Sequence, residues 1–147
     1  MKRLCVAILM MLYLTETAPA QINILNPPFR AKCDSVTDDT AAIQAANDFA
    51  YTSGQQEVIF PATGHCCKFR APLYMDAPGN LRSGTITKRG FSLKWRGTGL
   101  SADLNRASAL CPMNDDAPAI WVGPGSGMTI SGLYLRGPAN PPTNAAP

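Results

Sequence analysis

Two adjacent carboxylates, Asp115 and Asp116, follow Asn114 in the last third of the chain. A close pair of carboxylates can act as general acid and general base on a glycosidic bond. The same residue types are also standard turn formers, because their short polar side chains bond to nearby backbone. Lys94 and Arg96 stand two apart, so on a strand they share one face. With Arg136 beside them they could hold the carboxylates of an acidic polysaccharide, Arg through its planar fork. Scattered exposed charge is equally ordinary on a solvated strand face. His65 is the single histidine and no CxxC spacing occurs, so no metal site is indicated.

Cysteine is the other residue type here with chemistry of its own. Cys5 lies in the apolar start of the chain; Cys33, Cys66, Cys67 and Cys111 lie beyond it. Four cysteines in an exported chain allow two disulfides in three connectivities. Neighbours on a strand point to opposite faces, so a Cys66–Cys67 bond is disfavoured. One of the two is expected to join Cys33 and the other Cys111, with free buried thiols as the alternative.

These residues need elements to hold them. Thr37, Asp38 and Asp39 lead into Ala42, Ile43, Ala46, Phe49 and Ala50, which fall on one stripe at helical spacing. Thr37 or Asp38 can cap that helix, and the two aspartates suit the positive end of its dipole. Metal binding by these aspartates competes poorly with that capping work. Gly54 marks the stop, and the helix is expected over 38–53 with Gln44 on its exposed side.

The remainder reads as strands. Val58-Ile-Phe is β-branched and aromatic, closed by Pro61. Phe91, Leu93 and Trp95 alternate with Ser92, Lys94 and Arg96, which points Trp95 into a core. The environment of Trp121 is left open by its short apolar run. Met128 and Ile130 share one parity, Leu133 and Leu135 the other, and Gly132 sits at the break, where a bulge or corner fits. The body is therefore expected to be mainly β, with one helix in front.

Residues 1–20 have the pattern of a secretory signal peptide: Lys2 and Arg3, an apolar run from Leu4 to Leu14, then Ala18-Pro-Ala20. The run is too short to span a bilayer, which takes roughly 20 residues. Export makes the chain secreted or periplasmic, with no membrane association after cleavage. The net charge is +3 at pH 7 and falls to +2 without the leader. That balance, with no basic cluster longer than Lys88-Arg89, argues against nucleic acid as a partner. Residues 138–147 form a tail rich in Pro, Ala and Asn, with no strand pattern.

The stretch Phe29-Arg-Ala-Lys-Cys-Asp34-Ser-Val-Thr-Asp-Asp39-Thr-Ala-Ala-Ile-Gln44 resembles the opening segment of the pectate lyase superfamily, F-G-A-x-G-D-G-x-T-D-D-T-x-A-I-Q. That superfamily includes rhamnogalacturonase-like enzymes and phage tailspike-like domains. Three family glycines are Arg30, Cys33 and Ser35 here. Val58-Ile-Phe-Pro-Ala62, Leu93-Lys-Trp-Arg-Gly-Thr-Gly99 and Ile130-Ser-Gly-Leu-Tyr-Leu-Arg-Gly137 resemble later strands and turns of the same pattern. The resemblance implies a right-handed parallel β-helix capped by an N-terminal α-helix, with residues 21–137 supplying the cap and the first coils before the solenoid stops. It also implies a polysaccharide partner and lyase or hydrolase chemistry in a whole family member. No N-T-D or G-H-G motif accompanies Asp115 and Asp116, so this part is expected to be inactive. No cofactor follows from the residues; calcium enters by family analogy alone. A tailspike-like adhesive role would bring a homotrimer. A small secreted, disulfide-bonded β domain that merely shares the pattern is the third alternative.

Overall fold

The computed structural model describes residues 21–79, 92–99, 107–113, 120–123 and 127–136. The candidate carboxylates Asp115 and Asp116, the leader, the tail and Phe91 lie outside the described residues. The chain runs β1 (Ile22–Asn23), α1 (Thr40–Ser53), β2 (Glu57–Phe60), β3 (Cys66–Phe69) and β4 (Leu73–Met75). It continues through β5 (Lys94–Gly97), β6 (Ser108–Pro112), β7 (Ile120–Val122), β8 (Thr129–Ser131) and β9 (Leu133–Leu135).

All strand pairs among the described residues are parallel. They form three small sheets, ordered β1-β2-β5-β8, β3-β6-β9 and β4-β7. The β-helix expectation is corrected here. The strands are two to five residues long and split among separate sheets of four, three and two strands. No closed or solenoid sheet forms among the described residues, and with one packed helix the chain is a small mixed α/β domain. Corners interrupt the ladders: Pro61 follows β2, and Gly132 separates β8 from β9, which belong to different sheets. Gly132 has φ 64°, and a Cβ there would lie 2.6 Å from the Gly97 carbonyl oxygen. Only glycine suits both the left-handed backbone and that close approach.

The core runs between helix and sheets. Ile43, Ala46 and Ala50 bury the small-residue face of α1. They share one cluster with Val58, Phe60, Phe69, Leu73, Leu93, Trp95 and Leu110. Trp95 is fully buried, its ring tilted against Phe60 with centroids 5.4 Å apart. Its indole N–H donates to Asn47 Oδ1 at 3.1 Å, so the polar edge of the ring is satisfied inside the core. The sequence stripe also placed Phe49 inward, but 45% of it is exposed. It packs edge-on to Phe29 instead, with centroids 5.7 Å apart.

The helix begins two residues later than its sequence pattern suggests. Asp39 takes the N-cap position without a capping side-chain bond. Its carboxylate turns back to accept the Lys32 and Cys33 N–H groups at 2.7 and 2.9 Å. Asp38 Oδ1 accepts the Thr40 N–H instead, and Thr37 bonds to Asp34. Gly54 ends the helix in the left-handed conformation, as its type predicts.

Candidate functional site

The basic residues come together only in part. Lys94 lies opposite Glu57, and Arg96 opposite Ile59, in the β2–β5 ladder. Two residues apart on one face, both cations reach the same carboxylate. Lys94 Nζ is 3.3 Å and Arg96 Nε 3.0 Å from Glu57 Oε1. The hydrogen bond from Arg96 holds the Glu57 carboxyl below its ordinary range; Lys94 adds to this, and burial opposes it. The face thus presents a three-residue cluster of net charge +1 where the sequence suggested two free cations. Sequence alone assigns Glu57 no role beyond opening a strand, because its pairing depends on strand register. Arg136 follows β9 in another sheet, and its N–H donates to the Leu110 carbonyl at 3.0 Å. The sheets do not bring it into the Lys94–Arg96 ladder.

The cysteines form two bonds, Cys33–Cys67 and Cys66–Cys111, so the adjacent pair takes different partners. Strand alternation on β3 explains the division. Cys67 faces the main core, whereas Cys66 joins Ala109 and Cys111 in a small cluster. Asp39 lies beside the first bond, and one ligand atom from each of Cys33, Asp39 and Cys67 falls within 4.8 Å of the others. Both sulfurs are committed to each other, so the trio is not a thiolate metal set while that bond stands. The Asp39 carboxylate is already occupied with backbone N–H groups.

Several polar side chains do structural work that neither composition nor periodicity reveals. Gln44, placed on the exposed side by its helical position, bonds to both backbone groups of Tyr74 on β4. Asn47, fully buried, donates to the Asp76 carbonyl at 3.1 Å. Ser35 Oγ accepts the Cys66 N–H, and the Ser35 N–H donates to the Cys66 carbonyl. Thr40 Oγ1 accepts the Arg70 N–H at 2.9 Å. Buried Ser108 donates to the Phe60 carbonyl and accepts the Thr98 and Gly99 N–H groups. Helix and lead-in together therefore line the front edges of β3 and β4 with hydrogen-bonding partners.

The opposite side differs. Trp121 and Val122 on β7, and Tyr134 and Leu135 on β9, are large apolar residues that stay exposed. Beside them is a half-open cavity of about 300 Å³, lined by Phe69, Leu110, Pro112, Ile120, Leu135 and Arg136. Of the six described residues that line it, five are apolar and the sixth is a cation. His65 is exposed on the lead into β3 and touches neither the cavity nor the charged cluster among the described residues.

No family model, curated protein or solved structure matches this chain. No helix among the described residues is long and apolar enough to cross a membrane.

Proposed function

We propose that the chain is a small exported domain, stapled by two disulfides, that works by binding in an oxidising compartment. The observation that carries this is the covalent map: four cysteines beyond the leader pair as two bonds. Such bonds persist where thiols are oxidised and compensate for the modest core of a short chain. Peptide mapping of exported protein without reduction tests it. The expected result is Cys33–Cys67 and Cys66–Cys111 linked peptides in the extracellular or periplasmic fraction. Four alkylatable thiols, or retention in the cytoplasm, would overturn it.

We further propose kinship with the opening segment of the pectate lyase superfamily, with an acidic polysaccharide as the bound polymer. A specific observation supports this. Arg30, Cys33 and Ser35 stand where the family pattern has glycine, and their φ angles are 57°, 45° and 66°. Left-handed backbone is what glycine serves most easily. The Lys94–Arg96 face would make the contact, tempered by Glu57. Affinity electrophoresis through polygalacturonate tests this, with a neutral glucan as control. Wild type should be retarded weakly and the Glu57→Gln protein more strongly, because both cations are then released. Equal migration in the two gels for both proteins would remove the proposal.

A further inference from the structure

We infer that the cavity between β3, β6, β7 and β9 binds a small amphiphilic anion, an aliphatic or aromatic monocarboxylate, independently of either proposal above. Phe69, Leu110, Pro112, Ile120 and Leu135 give it an apolar wall. A volume of about 300 Å³ falls at the lower end of small-molecule pockets, which span roughly 300–1,000 Å³. The wall is fixed by strand register, with Leu110 opposite Leu135 and Phe69 opposite Pro112. Phe69 and Leu110 are buried within the main core, so that part of the wall is rigid.

Charge selects the ligand. Among the described residues, Arg136 is the one ionisable residue of the lining, and no ion pair or side-chain hydrogen bond occupies it there. Its backbone is pinned to the Leu110 carbonyl, which holds the base of the side chain at the rim. A guanidinium at the mouth of an apolar pocket matches a carboxylate head on an apolar body, through two parallel N–H···O bonds. An uncharged apolar molecule would gain the wall and not the head contact. A polyanionic chain would gain the head contact and not the wall.

Octanoate and its neutral counterpart 1-octanol are the probes, added to the full mature chain and followed by amide shifts in NMR spectra. Octanoate should shift the signals of Leu110, Ile120 and Leu135 and bind more tightly than octanol. Arg136→Gln should weaken octanoate about fivefold, the scale of one exposed ion pair, and leave octanol unchanged. Arg136→Lys should restore part of the difference. Arg136 is exposed, so both variants are expected to fold, and the same spectra check it. Equal affinity for the two probes, no saturable binding at millimolar concentration, shifts confined to other residues, or an unaffected Arg136→Gln protein would each overturn the inference.

Discussion

The carboxamide of Gln44 is bonded to Tyr74 as a neighbouring strand would be. Its Nε2 donates to the Tyr74 carbonyl at 3.0 Å, and its Oε1 accepts the Tyr74 N–H at 2.8 Å. Tyr74 sits in the middle of β4, whose strand partner among the described residues is β7. A helix side chain thus completes the other edge of a two-stranded sheet. Unpaired strand edges invite association with other chains, and a side-chain amide is one way to close them.

Replacing Gln44 with Ala should therefore cost stability, although helical periodicity alone would class the position as an indifferent surface site. Losing both bonds to a partly buried backbone pair should cost about 1–3 kcal/mol. Gln44→Glu should fall between, since a carboxylate can accept the N–H but cannot donate to the carbonyl. Chemical denaturation gives the energies. Amide exchange at Tyr74 should quicken in the Ala variant, and unchanged exchange would refute the edge-closing role.

Phe49 and Ile43 should separate sharply. Ile43 is fully buried, and its truncation to Ala should cost about 2–5 kcal/mol. Phe49 is 45% exposed and keeps the edge-on contact to Phe29, so its truncation should cost nearer 1 kcal/mol. The full cost of a buried aromatic, expected from the sequence stripe, no longer applies. Thermal melts of the two variants side by side decide this, and a larger loss for Phe49 would contradict the geometry.

The left-handed residues offer a backbone test. Arg30→Gly should change stability by less than about 1 kcal/mol, because relief of the left-handed backbone is offset by a looser unfolded chain. Arg30→Val should cost more than Arg30→Gly, as a β-branched side chain tolerates positive φ poorly. Ser35→Gly should behave differently from Arg30→Gly, since it also removes the hydroxyl that accepts the Cys66 N–H. Urea midpoints for the three variants suffice, and an Arg30→Val protein as stable as Arg30→Gly would reject the backbone assignment.

Acid should weaken the turn before the helix. Asp34 accepts the Thr37 and Val36 N–H groups and the Thr37 hydroxyl, which lowers its pKa from 3.8 to about 2. A depressed folded value means the carboxylate stabilises the fold above the unfolded pKa. That contribution is lost as pH falls from 3.8 through about 2. Asp38, lowered mainly by its bond from the Thr40 hydroxyl, acts in the same direction. Carboxyl carbon shifts should place the Asp34 midpoint near 2, and Asp34→Asn should flatten the acid limb of the melting curve. An Asp34 midpoint near 3.8 would count against the turn.

The sequence made local features legible. Its helical stripe, the stop at Gly54, the inward Trp95 and the corner at Gly132 each follow from neighbours close in the chain. The separate partners of Cys66 and Cys67 follow from strand alternation alone. What stayed hidden depends on register between distant segments. Gln44 meets Tyr74 across 30 positions, and Arg96 meets Glu57 across 39. A polar side chain on an exposed helical phase gives no sign that a strand edge awaits it. The solenoid expectation failed for a related reason, since strand-like runs do not reveal how corners distribute them among sheets.

The adjacent cysteines also set how tension passes through the molecule. From Cys33 to Cys111 the shortest covalent path is one disulfide, the Cys66–Cys67 linkage, and the second disulfide. Helix α1 and strand β2 lie in the first bypassed loop, and β4, β5 and most of β6 in the second. A pull applied outside the two cysteines is carried by sulfur and one short piece of backbone, leaving those elements unloaded. A single cut anywhere between Cys33 and Cys111 likewise frees no fragment, because each severed end stays tethered to the other. In a disulfide-stapled domain of this kind, breakage of the main chain and loss of the molecule are thereby made separate events.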